Sequence, residues 1–207
     1  MNCPKCKKQI NDKINFCPYC QAKINKLTNF NPLKQRSTTK TNPKKLVITA
    51  LLIALSYVGA QIKIPGTTIA FDSLPAFLAA LLLAPGYGAA IGFLGHIFTA
   101  MTSGFMYGLP LHIAIAISMA ITMFGFGCTY MTLKSKVPEV VNLVITGIAG
   151  LILNGPFSLA ISMGTLAVIA NKEAAWGLLA LLLPLSLASA ANIVVGILLY
   201  KALEKIV

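Results

Sequence analysis

Long apolar stretches follow one another through most of the chain, and they limit it to folds that lipid can solvate. Hydrophobic residues make up 57% of the 207 residues and charged residues only 11%, against roughly 25% charged in a typical soluble domain. A helix that spans a bilayer needs about 20 mostly apolar residues. The apolar spans cover residues 46–62, 74–84, 87–101, 109–133, 140–169 and 175–200. The sequence therefore predicts an all-α integral membrane protein with about six transmembrane helices.

Two features of these spans predict irregular packing. The second and third spans are too short to cross a bilayer comfortably, so we expect kinked or tilted helices there. Asn154-Gly155-Pro156 interrupts the fifth span, because proline removes a backbone donor from a helix. Gly88 and Gly92 form a GxxxG pair, which indicates close helix contact rather than nucleotide binding.

Positive charge lies mainly ahead of the first span. The net charge is +12, and 11 of the 17 Lys and Arg residues precede Leu46. A basic flank keeps that end of a membrane helix on the cytoplasmic side and can bind anionic lipid headgroups. With a cytoplasmic N-terminus and six spans, only Lys63 and Lys172 fall outside. We therefore expect both termini in the cytoplasm, a location in the cell membrane, and the lipid bilayer rather than nucleic acid as the partner of the basic tail.

The N-terminal residues carry a cysteine pattern typical of a metal site. Two CxxC pairs are separated by ten residues, with the cysteines at Cys3, Cys6, Cys17 and Cys20. Each pair can offer two thiolates to one tetrahedral Zn²⁺. The spacing thus predicts a zinc ribbon, with a structural Zn²⁺ because so short a head cannot bury a sufficient core. Redox and iron–sulfur roles remain alternatives.

This cysteine module resembles the short zinc-ribbon heads found on many bacterial proteins, through CPKC and FCPYC. It departs from them at Lys7 and Gln21, where those heads usually have glycine. The sequence then divides into a zinc-ribbon-like head (1–25), a basic flexible linker (26–45) and a membrane domain (46–207). Cys128 lies within an apolar span and is predicted to be a small buried hydrophobic residue.

Polar residues in and between the spans mark a candidate ligand site. The segments 62–75 and 101–112 combine turn formers with polar groups and are expected on the outer face, where a loop can cover a pocket. Ionisable and amide groups inside a membrane are costly, so they are functional candidates, although each can also serve as helix–helix glue. The substrate-binding candidates are Asp72, Ser103, His112, Asn154 and Asn192. We find no phosphate-binding loop and no catalytic motif, and so expect a protein that is not an enzyme.

The membrane domain resembles the substrate-capture (S) component of energy-coupling factor vitamin transporters. The resemblance rests on TALLIALSYVGA in the first span, on IPGTTIAFDSLPAFLAALLLAPGYGAAIGFLGHIFTAMTSG over 64–104, and on the six-span size. It implies that Ala50 and Ala54 form a small-residue face that docks on a transmembrane coupling subunit. It also implies a vitamin pocket near the outer face, a toppling movement after docking, and two partner ATPase subunits.

The stretches IAFDSLP, GHIFTAMTSGF and GLPLHIAIA look most like the branch assigned to α-ribazole, a neutral aromatic nucleoside precursor of cobalamin. Riboflavin, pantothenate, a queuosine precursor or intact cobalamin are alternative substrates. A zinc-ribbon membrane scaffold or sensor, with the head as its working part, and a membrane enzyme are alternatives of other classes. The zinc head is not a general feature of the family.

Overall fold

The computed structural model of the chain describes residues 2–3, 5–11, 16–23, 42–62 and 70–206. By its internal contacts the chain divides into two compact units, Met1–Lys40 and Thr41–Val207, and each is considered by itself. Residues 24–41, most of the expected linker, and residues 63–69, in the first expected outer loop, lie outside the described part.

The N-terminal unit contains two copies of one small knuckle, 14 residues apart. In the first, Cys3 N–H donates to Lys8 O (2.9 Å) and Lys7 N–H donates to Cys3 O (2.9 Å). In the second, Cys17 N–H donates to Ala22 O (3.0 Å) and Gln21 N–H donates to Cys17 O (2.8 Å). One isolated antiparallel bridge closes each knuckle, Asn2 with Gln9 and Phe16 with Lys23.

The residues that replace the usual knuckle glycines have left-handed backbone angles. The φ angle is 57° at Lys7 and 53° at Gln21. This conformation costs a residue with a Cβ roughly 1–2 kcal/mol, whereas glycine adopts it freely. The two turns thus keep the knuckle geometry in spite of their side chains.

The second unit consists of helices joined by short turns in its described length. Its α-helices are α1 (Pro43–Gly59), α2 (Leu74–Leu82), α3 (Pro85–Thr102), α4 (Leu109–Leu133), α5 (Glu139–Ile152), α6 (Ser158–Ile169), α7 (Lys172–Gly177) and α8 (Leu182–Leu203). A π-helical turn, Leu153–Phe157, joins α5 to α6, and 3₁₀ turns at Phe71–Ser73 and Leu178–Leu181 precede α2 and α8. The predicted all-α architecture is confirmed, and its six helical segments correspond to the six apolar spans.

Local capping explains where the first and last segments differ from the predicted spans. α1 begins at Pro43 because Asn42 caps it, accepting a hydrogen bond from Lys44 N–H (3.0 Å), and proline is favoured in the first helical turn. The last residues of the expected linker are therefore helical. The final segment begins at Lys172 because Asn171 accepts from Ala174 N–H (2.7 Å).

The fifth predicted span is a continuous helix that contains one π-helical turn. Asn154, Gly155 and Pro156 lie in the π-helical turn, and helix continues on both sides of it. Proline is accommodated because a wider turn relieves the clash of its ring with the preceding carbonyl. Thr122 on α4 donates to the carbonyl of Leu153 (3.1 Å), which supports the turn from the neighbouring helix.

Helix α2 forms the centre of the bundle. All residues from Pro75 to Leu81 are buried, which explains why its sequence is apolar on every side. Phe77 packs edge-on against Phe126 of α4 (4.9 Å between ring centroids). At Gly88 of α3 an added Cβ would lie 2.6 Å from Ala80 Cβ, so only glycine allows this approach of α2 and α3. α2 is too short to span a bilayer. Its buried side chains pack inside the bundle instead.

The outer faces of the longer helices present apolar side chains. On α4 the exposed positions Ile113, Ile117, Ile121 and Phe124 recur at helical spacing. Such a continuous apolar stripe is what lipid, rather than water, solvates. Among the residues that the structure describes, three segments are long and apolar enough to cross a membrane by themselves: Leu109–Leu133, Glu139–Ile169 and Lys172–Leu203.

Candidate functional site

A cavity of about 390 Å³ lies inside the helical unit, against the turn between α3 and α4. This size falls in the range of small-molecule sites. One part of its wall is apolar: Leu111, Ile115, Leu159, Leu178, Leu181 and Leu185. The other part is polar: Asp72, Ser73, His96, His112, Asn154, Ser158, Ser162, Ser189 and Asn192. The arrangement suits a ligand with one apolar and one hydrogen-bonding end.

The π-helical turn places a polar stripe on the cavity wall. Asn154, Ser158 and Ser162 are four residues apart and all line the cavity. Ser158 Oγ lies 2.7 Å from Ser118 Oγ on α4, and Ser162 donates to the carbonyl of Ser158 (2.8 Å). These bonds hold the stripe in position, as expected where a π-turn interrupts a helix at a functional site.

Helix α8 supplies the adjoining part of the wall through Ser189 and Asn192. The Asn192 amide nitrogen donates to Ala70 O (3.1 Å) and to Ala188 O (3.0 Å). The first bond joins residues 122 positions apart and ties α8 to the segment before α2. Asn154 donates to Ser189 Oγ, which links the stripe to α8. The side-chain carbonyl oxygens of both asparagines are buried and have no hydrogen-bond partner in the described part of the chain.

Asp72 is the only acid between Asn42 and Leu133 in the sequence. It lies in the 3₁₀ turn before α2, is 4% exposed and lines the cavity. Thr99 on α3 donates its hydroxyl to Asp72 Oδ2 (2.5 Å), and Ser56 on α1 donates to Asp72 O (2.5 Å). Within the described residues, the ion pairs are those of Lys201 with Glu139 and Glu204, so the Asp72 carboxylate is stabilised instead by the Thr99 hydroxyl and by the backbone N–H of Ser73.

The two histidines of the chain stack on each other in the wall. His112 Nε2 lies 2.8 Å from Met106 O, and His96 Nε2 lies 3.2 Å from His112 Nδ1. A carbonyl only accepts, so His112 carries a proton on Nε2; in a neutral ring its Nδ1 then accepts from His96. Both ring N–H groups are thus engaged within the protein, and the pair mainly fixes the turn that borders the cavity.

That turn, between α3 and α4, has an unusual backbone. Phe105 and Tyr107 have φ angles of 51° and 65°, in the left-handed region that residues with a Cβ rarely adopt. Met106 and Tyr107 line the cavity, and the Phe105 ring contacts His112 edge-on (5.7 Å between centroids). Backbone strain of this kind is often found at ligand sites.

The structure brings together four of the five substrate-binding candidates from the sequence. Asp72, His112, Asn154 and Asn192 all line the cavity. Ser103 does not: it follows the last turn of α3, where its N–H donates to Thr99 O (3.0 Å). Sequence reasoning did not select five polar wall residues, Ser73, His96, Ser158, Ser162 and Ser189. Ser158 and Ser162 could have been found from their four-residue spacing from Asn154, which places all three on one face of a helix.

The four N-terminal cysteines form a separate candidate metal centre. Their sulfur atoms all lie within 4.8 Å of one another, with 3.7 Å between Cys3 and Cys20 and 3.6 Å between Cys6 and Cys17. A metal with four sulfur ligands at about 2.3 Å in a tetrahedron requires about 3.8 Å between sulfurs. Disulfide-bonded sulfurs would lie about 2.05 Å apart. The cluster therefore fits a tetrahedral metal ion and not a pair of disulfides.

Ionisation of the thiols is uneven across this cluster. The backbone N–H of Cys6 points to the Cys3 sulfur and lowers the pKa of that thiol to about 6. A backbone hydrogen bond from Ala22 acts in the same direction on Cys20, but burial and the neighbouring thiols raise the pKa of Cys20 to about 12. Cys3 therefore loses its proton easily, whereas deprotonation of Cys20 is unfavourable. A bound cation would stabilise all of the thiolates together.

The two small residues of the α1 motif lie on its outer side. Ala50 and Ala54 are both exposed, and so are Leu51, Leu55 and Val58 on the same helix. The opposite side of α1 is buried at Leu52 and Ser56. α1 therefore presents a shallow apolar surface that is not used for packing inside the unit.

Comparison with known proteins assigns most of the chain to one family. Residues 44–204 match the family model described as ECF transporter, substrate-specific component. This match covers the whole helical unit apart from its ends and leaves the cysteine head outside. No curated protein matches the chain.

The hydroxyl bond to Asp72 gives a testable prediction for the site. Replacing Thr99 by Val removes the donor and leaves a buried carboxylate oxygen without it, which costs about 1–3 kcal/mol. We expect a lower midpoint of thermal unfolding for Thr99→Val in detergent. Thr129→Val is the matched control, because that hydroxyl bonds only to Gly125 O in its own helix (2.9 Å). Equal melting of the two variants would contradict a special role of the Thr99–Asp72 bond.

Proposed function

We propose that this chain, which belongs to the substrate-specific components of ECF transporters, captures a vitamin or vitamin precursor in the cavity between α4, α6 and α8. Members of this family are membrane proteins that bind a small molecule and associate with a transmembrane subunit and ATPase subunits. They are not a known enzyme class. In our proposal, both termini face the cytoplasm, the cavity opens towards the outer face, and the partner ATPases drive uptake.

One observation carries the proposal: the cavity of about 390 Å³ combines an apolar wall with buried, hydrogen-bonding residues. Buried polar groups without a structural task are expensive in a bundle that lipid surrounds. Asn154 and Asn192 retain such groups, since neither carbonyl oxygen has a partner in the described residues. A ligand that occupies the cavity would compensate this cost.

α-Ribazole is our preferred substrate. Its dimethylbenzimidazole matches the apolar wall around Leu111, Leu159 and Leu178, and its ribose hydroxyls match the polar wall. The volume of about 390 Å³ argues against intact cobalamin, whose corrin ring and nucleotide loop together far exceed a drug-sized ligand. Riboflavin, pantothenate and a queuosine precursor remain competitors of suitable size.

Calorimetry on the purified full-length protein in nanodiscs tests the substrate. We expect α-ribazole to bind with a dissociation constant of about 1 μM or below, which corresponds to about −8 kcal/mol. Riboflavin, pantothenate and cobalamin are titrated beside it. Tight binding of another vitamin alone would discard α-ribazole and keep the transporter. The absence of binding by every vitamin, from protein that melts cooperatively, would contradict the proposed function.

We propose that Ala50 and Ala54 form the surface that docks on the transmembrane coupling subunit. Their exposure on α1 supports this, because small residues allow two helices to approach closely. Replacing either by Trp should block close approach and lower ligand uptake by about tenfold or more, while ligand binding to the isolated chain is unchanged. Ala160→Trp, at an exposed alanine of α6, is the matched control. Uptake that survives both α1 substitutions would contradict this assignment.

We propose that the cysteine cluster holds a structural Zn²⁺. The spacing of the sulfur atoms and the four-thiol ligand set support zinc, which prefers closed tetrahedral sites with sulfur ligands. In so short a head, metal binding supplies the folding free energy that a hydrophobic core would otherwise provide. The head is expected to unfold when a chelator removes the metal.

The strained knuckle turns predict the direction of an affinity change. Lys7→Gly or Gln21→Gly should each remove about 1 kcal/mol of backbone strain and tighten Zn²⁺ binding by roughly fivefold. Competition with a chromophoric chelator measures this on the full chain. Gln9→Gly, at an extended position of the first knuckle, is the control and should bring no gain. Weaker binding of the Lys7 and Gln21 variants would show that these turns are not strained.

The cysteine cluster also favours a second candidate function, a membrane scaffold or sensor in which the head is the working part. Its sulfur geometry is independent of the helical unit, which is a separate compact unit. Deletion of residues 1–40 distinguishes the two. Ligand uptake that persists after deletion supports the transporter with an accessory head, and loss of uptake with intact ligand binding supports a head that controls transport.

A further inference from the structure

We infer that the ligand of this cavity must carry at least one hydrogen-bond donor, a hydroxyl or N–H group, that binds the side-chain carbonyl oxygen of Asn192, and that the amide of Asn154 is its second hydrogen-bonding partner. This inference rests on the proposed function and specifies which ligand chemistry the site accepts. It also gives an orientation: the donor-bearing end of the ligand lies between the π-helical turn and α8, and its apolar end lies against Leu111, Leu159 and Leu178.

A comparison of the three buried asparagines supports this role. Asn142, which does not line the cavity, is satisfied within the protein: it donates to Tyr130 O (3.0 Å) and accepts from Thr146 (3.0 Å). Asn154 and Asn192 do line the cavity. They are 4% and 1% exposed, and each has a donor bond but no donor to its own oxygen in the described residues. The protein thus pairs both the nitrogen and the oxygen of the Asn142 amide, but only one of the two groups in each cavity asparagine.

The orientation of the Asn192 amide follows from its partners. Both groups that its nitrogen contacts, Ala70 O and Ala188 O, are carbonyls and can only accept. A flipped amide would place its oxygen against two carbonyl oxygens, so the nitrogen must occupy that position. The remaining group of Asn192 is therefore an acceptor. An isolated buried acceptor costs free energy that only a donor can recover.

Several polar side chains at or behind the wall use their hydrogen-bond donors within the protein. The N–H groups of the histidine pair are used by Met106 O and by the pair itself. Thr99 directs its hydroxyl to Asp72, and Ser162 directs its own to Ser158 O. The carbonyl oxygen of Asn192 and the carboxylate of Asp72 are therefore acceptors that the wall presents to a ligand. A ligand with acceptors alone would leave the Asn192 oxygen unpaired.

The ribose hydroxyls of α-ribazole provide a direct test. Binding of α-ribazole and of its 2′-, 3′- and 5′-deoxy analogues is measured by calorimetry on the full-length wild type and on Asn192→Ala, Asn154→Ala and Asn142→Ala. We expect at least one deoxy analogue to bind about tenfold or more weakly to the wild type. This loss of affinity on removing a hydroxyl should fall to about twofold or less in Asn192→Ala or Asn154→Ala. It should be unchanged in Asn142→Ala. An unchanged loss in both cavity variants would overturn the inference.

If another vitamin of the panel binds instead, the substrate proposal fails and this inference is tested on that vitamin with its hydroxyl or N–H groups methylated one at a time. A ligand-independent measurement covers the remaining case. Asn154→Leu removes a half-satisfied amide and should leave the melting temperature of the ligand-free protein equal or raise it, whereas Asn142→Leu should lower it. An equal decrease in both variants would assign Asn154 a structural role and overturn the inference.

Discussion

The pairing of polar side chains inside a bundle surrounded by lipid is the constraint on which this structure depends. Without water, an unpaired polar group costs several kcal/mol, so the buried groups must find partners within the protein. Most do: Tyr130 and Tyr200 share a hydrogen bond (2.7 Å), and so do Ser118 and Ser158 (2.7 Å). Within the part of the chain that the structure describes, the two buried side-chain atoms left without a partner are the oxygens of Asn154 and Asn192, and both residues belong to the wall of one cavity. The exceptions thus coincide with the place where a ligand can complete the pairing.

Much of the fold could be predicted because span length and apolar composition follow directly from the lipid environment. The fourth span, 109–133, coincides with α4, and the caps Asn42 and Asn171 explain the shifted starts of two others. The central position of α2 could not be predicted, since a helix that is apolar on all sides is equally suited to lipid and to a protein core. The π-helical turn at Pro156 could not be predicted either, because a proline indicates an interruption of the α-helix but not the backbone geometry that accommodates it.

The candidate site was partly predictable for a related reason. The cost of amide groups inside a membrane singled out Asn154 and Asn192 in the spans, and Asp72 and His112 were selected from the outer segments. The same reasoning did not select His96, which lies in the third span and lines the cavity. Serines carry little signal, because a serine can bond to the carbonyl one turn before it and be tolerated anywhere in a helix. Ser162 makes such a bond and still lines the cavity, whereas Ser103 lies outside it. The clustering of the four cysteines was predictable from spacing, since two CxxC turns can each offer two thiolates to one tetrahedral centre.

The central claim, that this cavity is the ligand site, is tested most directly by filling it. Ala188 lines the cavity, whereas its neighbour Leu187 is 63% exposed on the outer face of α8. Calorimetry on Ala188→Phe and Leu187→Phe, with α-ribazole or the tightest-binding vitamin of the panel, compares the same new side chain at adjacent positions. The account predicts a loss of about tenfold or more in affinity for Ala188→Phe and about twofold or less for Leu187→Phe. Undiminished binding by a folded Ala188→Phe variant would place the ligand elsewhere and contradict the account.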